Sequence, residues 1–188
     1  MRPLTVAVTG GIGAGKSAAL AAFARRGVPT SSADDVVHRL IAEDPEVRAA
    51  LEDRLGTTDR AEIGRIVFAD PERLAWLEGL LHPRVRRDQE AWLAGLDADA
   101  AVIEIPLLFE TGGEERFDAV VVITAPDDVR ARRTARARDA RGARLIPDAE
   151  KVARADFAYV NDGTLDELDA FVEDVLRRVS SSRLHGDT

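Results

Sequence analysis

The stretch Gly10-Gly11-Ile12-Gly13-Ala14-Gly15-Lys16-Ser17 decides how the rest of this chain is read. Gly10 and Gly15 bracket four residues, and Lys16-Ser17 follows, which is the Walker A pattern. The pattern carries meaning only between a strand and a helix. Leu4 to Val8 supplies the first, a short β-branched run of the kind that is buried on both faces of a parallel sheet. Ser17 to Arg26 supplies the second: it is rich in alanine, with Leu20 and Phe23 three apart and Gly27 at its end.

Glycines at these places remove Cβ atoms, so successive backbone amides can turn inward around a triphosphate at the positive end of a helix dipole. The expected nucleotide cradle is Gly11, Ile12, Gly13, Ala14, Gly15, Lys16, Ser17 and Ala18. Lys16 is expected to reach the β- and γ-phosphates of ATP, and the Ser17 hydroxyl to ligate Mg²⁺. The bland alternative is a glycine-rich turn with an incidental lysine.

Outward from the loop, Val28 to Ala33 reads as a weak second strand and Asp34 opens a helix bearing Val36, Val37, Leu40 and Ile41 on one side. Pro45 to Leu96 is helical in pieces, broken at Pro71 and Pro83, and forms a helical insertion over about 45–96. Ala100 to Ile105, Ala119 to Thr124 and Phe157 to Val160 are further strands. Val129 to Arg138 is a basic helix, Leu165 to Val179 a closing amphipathic one, and residues 181–188 a frayed tail. Strands alternating with helices predict an α/β fold, a doubly wound parallel sheet with Leu4–Val8 at its centre, in one domain over 1–180.

Composition narrows the chemistry. The 188 residues are 45% hydrophobic and 32% charged, enough for one folded unit with a full core. A formal net charge of −8 argues against a nucleic-acid surface spread over the whole molecule, so an anion must be held locally. The chain has no cysteine, which excludes disulfides, thiolate metal sites and thiol nucleophiles. No apolar run approaches the length of a membrane span, and the N-terminal one is too short for a signal-peptide core. A cytoplasmic enzyme acting on small molecules, with neither nucleic acid nor membrane as partner, is the expectation.

Phosphoryl transfer to an alcohol needs a carboxylate that orients the hydroxyl and accepts its proton. Asp34 stands at a strand-to-helix corner, and the C-terminal ends of neighbouring parallel strands face one crevice, which places it near the phosphate loop. The same residue reads equally well as a helix N-cap.

Several stretches together resemble the dephospho-CoA kinase family: Val8 to Ser17, Ala33-Asp34, Leu80-Leu81-His82-Pro83, Ile105-Pro106-Leu107-Leu108-Phe109-Glu110, Glu150-Lys151, Ala155-Asp156 and Asn161-Asp162-Gly163. They cover nearly the whole chain in the family's order. The resemblance implies a P-loop NTPase-type kinase that moves the ATP γ-phosphate to the ribose 3′-hydroxyl of dephospho-CoA. It implies Asp34 as base, the helical insertion as acceptor holder and a short basic lid over about 130–147. His82 and Pro83 then fall on the acceptor side, or form a helix break with a surface histidine. Leu108 and Glu110 then line the acceptor pocket, though Leu107, Leu108 and Phe109 suit core packing equally. Arg130, Arg132, Arg133, Arg136, Arg138, Arg141 and Arg144 form the basic block. Arg133 and Arg138 are expected to close on the phosphates, and several of the block to form a solvated helix face, since one helix cannot aim them all at one ligand. Asn161 and Gly163 match a segment whose backbone lies against adenine, or make an ordinary turn. Two positions depart from the family's pattern, Ser32 for an aspartate and Ala18 for a threonine. A kinase of another small alcohol or nucleotide, or an ATP sensor without turnover, remains open on sequence alone.

Overall fold

Val6, Ala7 and Val8 have no exposed surface, as a strand flanked on both sides and covered on both faces must have none. They belong to β1 (Leu4–Gly10). With β2 (Thr30–Ser32), β3 (Ala100–Glu104), β4 (Ala119–Thr124) and β5 (Phe157–Val160) it forms one sheet in the order β2-β3-β1-β4-β5. The central place expected for the first strand is the one observed. The ladders are parallel, with Val8 opposite Glu104 on one side and Val121 on the other, and Val121 opposite Phe157. The structure, a computed structural model, describes residues 2–133 and 145–186. It comprises two compact units, Met1–Ser31 with Leu96–Thr188, and Ser32–Gly95.

Helices of the first unit are α1 (Lys16–Arg25), α6 (Asp127–Arg133), α7 (Asp148–Arg154) and α8 (Leu165–Gly186). The period-2 alternation of the strands sorts the core into two layers. Val6, Val8, Val121 and Ile123 pack with Ala19, Ala22 and Phe23 of α1 and with Leu168, Val172 and Val175 of α8. Ala7, Val120 and Val122 pack on the other face with Leu108 and Phe109. Thr164 and Glu167 start α8 with a reciprocal capping box: the Thr164 amide donates to the Glu167 carboxylate at 2.7 Å, and the Glu167 amide donates to the Thr164 hydroxyl at 3.3 Å. The bonds that the carboxylate accepts, from the Thr164 amide and from the Thr164 hydroxyl at 3.1 Å, hold the Glu167 carboxyl below its usual value. The helix runs on to Gly186 instead of fraying at the serines. No breaker interrupts it, and Ser181 returns its hydroxyl to the Arg177 carbonyl at 2.8 Å.

The second unit holds α2 (Ala33–Glu43), α3 (Pro45–Leu55), α4 (Arg60–Phe68) and α5 (Pro71–Ala94) around Ile41, Val47, Leu51, Ile63, Val67, Leu77 and Leu81. Asp44 and Asp70 cap α3 and α5 with proline next in line, an N-cap joined to the one helical position that needs no amide. The break expected at Pro83 does not occur; α5 passes through it. The carbonyl that loses its donor is that of Gly79, four residues back on an exposed face where water can replace the amide. Arg39 ties α2 to α5 through two bonds to Asp88, at 3.0 and 2.8 Å. Among the described residues, no helix is long and apolar enough to cross a membrane.

The order of strands also revises one expectation. β3 lies between β1 and β2, so the second strand in sequence is not the neighbour of the first. The carboxylate that closes β1's neighbour is Glu104.

Asp118 enters β4 as a clamp on the first strand: its Oδ2 accepts from the Thr5 amide at 2.7 Å and the Thr5 hydroxyl at 2.9 Å, and both oxygens accept from Arg2. Burial pushes this carboxyl up, but the bonds from Arg2 and Thr5 together outweigh it and hold the group below its usual value. A depressed folded pKa gives stability that is present above the unfolded value, about 3.9, and is lost as pH falls through the folded one. Asp118→Asn should therefore cost about 1.5 kcal/mol near neutral pH, less than a fully buried charged bond because Arg2 is exposed. Urea unfolding of both proteins should show that difference shrinking as pH falls below the unfolded value of about 3.9; a gap that stays constant with pH would contradict this account.

Candidate phosphate-binding site

A loop that presents amides to an anion must dispose of its carbonyls elsewhere. Here every carbonyl from Gly10 to Ala14 has a donor. Lys16 Nζ donates to Gly10 at 3.1 Å and Gly11 at 3.2 Å. Arg130 Nε donates to Ile12 at 3.0 Å. Arg133 Nη1 lies 3.4 Å from both the Gly13 and Ala14 oxygens, and Asn161 Nδ2 donates to Ala14 at 2.8 Å. Among the described residues the amides of Ile12, Gly13 and Gly15 have no partner. The loop is thus an arc of free donors backed by satisfied acceptors, and it leads into α1, whose dipole adds to it.

Two glycines are required by contact. A Cβ on Gly10 would stand 2.0 Å from the Ile123 carbonyl oxygen, so β1 can approach β4 this closely only without a side chain. Gly15 has φ 98° at the N-cap of α1, and a Cβ there would meet Asn161 Nδ2 at 2.0 Å.

Lys16 sits at the mouth of this arc with its ammonium 3.9 Å from Glu104 Oε1; their side chains are 13% and 10% exposed. Glu104 closes β3 next to β1, the place from which a Walker B carboxylate assists Mg²⁺ in this class of loop. Sequence reasoning passed over it, although a carboxylate ending an otherwise apolar strand was the available signal. The Ser17 hydroxyl is on an exposed residue beside the cradle, whereas Ala18 turns its methyl to the core. Ser17 and Glu104 are both hard oxygen donors and suit Mg²⁺, which takes few protein ligands and shares the phosphates.

The other expected residues divide. Arg133 reaches the loop, and so does Arg130, which the choice of Arg133 and Arg138 left out. Arg138 lies outside the described residues. Asn161 is at the loop, but through its side chain, buried beneath Ala14. Gly163 is exposed; the room left by its missing Cβ is filled by the Glu167 carboxylate of the capping box. Leu108 cannot line a pocket: it is fully buried among Ala7, Phe109 and Val122, because the strand's other face needs a cover. The Glu110 side chain is likewise buried, with Oε1 2.7 Å from the Lys151 ammonium.

In the helical unit Asp34 is exposed in the first turn of α2, whose N-cap is Ser32. The reading of Asp34 itself as N-cap is therefore set aside. His82 and Pro83 are exposed on α5. Two nitrogens that sequence reasoning did not single out, His38 Nε2 on α2 and Gln89 Nε2 on α5, are buried without a partner among the described residues. Each adjoins one member of the Arg39–Asp88 pair in sequence.

The family model for dephospho-CoA kinase matches residues 4–167. A dephospho-CoA kinase of Brucella melitensis is 37% identical over 191 residues, covering 94% of this chain and 96% of its own. Among solved structures, a Thermus thermophilus protein is 35% identical with a TM-score of 0.82, over 95% of this chain and 98% of its own. A dephospho-CoA kinase from Campylobacter jejuni is 27% identical with a TM-score of 0.68 over the same shares.

Asn161→Ala removes the donor that fixes the Ala14 carbonyl from below. It should weaken ATP binding by roughly tenfold, and cost about 1 kcal/mol in stability because the Ala14 carbonyl keeps only the long contact from Arg133. Titration with a non-hydrolysable ATP analogue, beside thermal unfolding, checks this; unchanged affinity would mean the loop holds its shape without Asn161.

Proposed function

Because the chain belongs to the dephospho-CoA kinase family, we propose that it transfers the γ-phosphate of ATP to the ribose 3′-hydroxyl of dephospho-CoA, giving coenzyme A and ADP. The observation that carries this reading is the phosphate loop, with its carbonyls tied back and its amides free. ATP as donor and a chain without cysteine suit a cytoplasmic setting.

Phosphoryl transfer is mostly positioning and charge neutralisation. The amides of Ile12, Gly13 and Gly15 would hold the β- and γ-phosphate oxygens. Lys16, whose ammonium has a third hydrogen beyond those given to the Gly10 and Gly11 carbonyls, would donate it to those oxygens, with Glu104 keeping the ammonium at the mouth of the loop. Arg133, together with Arg138, would meet the charge of the transferring group. Mg²⁺, when bound, would be held by the Ser17 hydroxyl with Glu104 behind it, and would neutralise the triphosphate. Asp34 is assigned the base: it takes the 3′-hydroxyl proton as the oxygen–phosphorus bond forms and the bond to the β,γ-bridging oxygen breaks, leaving ADP. The acceptor is assigned to the helical unit, where His38 and Gln89 keep buried nitrogens in need of partners and His82 stays accessible.

The test is ADP release with Mg-ATP and dephospho-CoA, adenosine, AMP or shikimate as acceptor. Turnover confined to dephospho-CoA is expected. Turnover on another alcohol alone would keep the kinase and reject the acceptor, and no turnover on any would favour a nucleotide sensor. Asp34→Asn should lower kcat by about 10²–10⁴ and leave ATP affinity near the parent's, since the base acts on the acceptor. Near-parental kcat would remove Asp34 from this role. Glu104→Gln should shift the Mg²⁺ dependence of the rate to higher concentration by roughly tenfold or more; an unshifted curve would detach Glu104 from the metal.

A further inference from the structure

Lys151 is 1% exposed and its ammonium lies 2.7 Å from Glu110 Oε1, itself on a side chain 7% exposed. Removing two charges from water is expensive, and a buried pair is weak evidence of a stability role, since apolar replacements often do as well. Such a pair is better suited to fixing one geometry among several, and its surroundings indicate which. The same Glu110 oxygen accepts from the Ile146 amide at 3.2 Å, just before α7 begins.

On α7 three residues stand three apart, Asp148, Lys151 and Arg154, a spacing that sets side chains along one face. Lys151 in the middle is held by Glu110. Arg154 at the far end lies 4.6 Å over the Phe109 ring and pairs with Glu114. Asp148 at the near end accepts from Arg130 Nη1 at 2.8 Å, while Arg130 Nε bonds the Ile12 carbonyl. The guanidinium is pressed so close to the loop that a Cβ on Gly11 would lie 2.6 Å from its Nη2.

We propose that α7 is a strut between the segment 106–114 and the phosphate loop, and that Glu110 is a positioning residue for the loop. Through Lys151 it sets the register of α7, which sets Asp148, which aims Arg130 at the Ile12 carbonyl. An arginine on a long stem would otherwise sample many rotamers, and the loop would lose the donor that turns Ile12 outward. Glu110 thus serves ATP rather than the acceptor, although it touches neither.

This rests on the loop binding ATP, so the test reads ATP binding directly as well as turnover. Glu110→Gln, Asp148→Asn and their combination are compared for affinity toward a non-hydrolysable ATP analogue, for KM of both substrates and for Tm. Each single variant should weaken ATP by about fivefold to tenfold, and the combination little further, because both act on one arginine. The KM for dephospho-CoA should stay within about twofold. Glu110→Gln/Lys151→Met removes both buried charges; it should regain Tm relative to Glu110→Gln and still bind ATP weakly. Recovery of ATP affinity along with Tm would reduce the pair to packing and overturn the proposal. So would fully additive losses in the first pair of variants, or a rise confined to the KM for dephospho-CoA. If the parent protein binds the ATP analogue but does not turn over dephospho-CoA, the assigned reaction fails while the binding series still decides the role of Glu110.

Discussion

Everything in the first unit answers to one constraint: a backbone loop cannot offer amides to an anion unless its carbonyls are held by other donors. Five consecutive carbonyls, Gly10 to Ala14, are taken by four side chains, three of them from distant parts of the sequence. Lys16 comes from the loop's own helix, Arg130 and Arg133 from the helix after β4, and Asn161 from the end of β5. The sheet order explains why these donors are at hand. With β1 in the centre and β4 beside it, whatever follows β4 and β5 emerges next to whatever follows β1. Gly10 passes the Ile123 carbonyl, and Gly15 the Asn161 amide, so closely that a Cβ on either would lie 2.0 Å away.

The same layout reconciles an acidic chain with an anion site. The cations around the loop are not loose. Lys16 has Glu104, Arg130 has Asp148, and Lys151, one shell further out, has Glu110. Each carboxylate holds a cation in one direction without cancelling the donors that face the loop. A net charge of −8 therefore says little about the potential at this site, which a few fixed groups determine at short range.

Periodicity made the sheet, its central strand and the run of helices legible, because those depend on which residues are buried. It did not give partners. Proximity in sequence points to β2 as the neighbour of β1, but the chain leaves β2 for a helical unit and returns as β3 between them, so the carboxylate beside the end of β1 is Glu104. Pro83 looked like a break because the local rule counts a lost amide, while the cost depends on whether the Gly79 carbonyl meets water. Asn161 and Gly163 were read as turn backbone, yet one is a buried donor to Ala14 and the other makes room for Glu167. The first role rests on a contact between residues 147 positions apart, which no window of sequence contains, and the second on an atom that glycine lacks, though Thr164 and Glu167 beside it form a capping-box pattern that a window does hold.

Ile105 to Glu110 marks the family more narrowly than the phosphate loop does, and it is natural to look there for substrate contacts. Its residues are spent on architecture. The Ile105 amide continues the ladder to Val8, and the Pro106 carbonyl accepts from the buried Thr9 hydroxyl at 3.4 Å. Leu108 and Phe109 cover one face of the sheet, and Glu110 buries Lys151. A motif of this kind is specific because several exact neighbours must be satisfied at once, by backbone, by packing and by charge. The phosphate loop is common to many enzymes because an anion asks only for amides. In this chain the segment after β3 is held to stricter terms, since it must meet the backbone of β1, the cover of the sheet and the buried Lys151 ammonium at once.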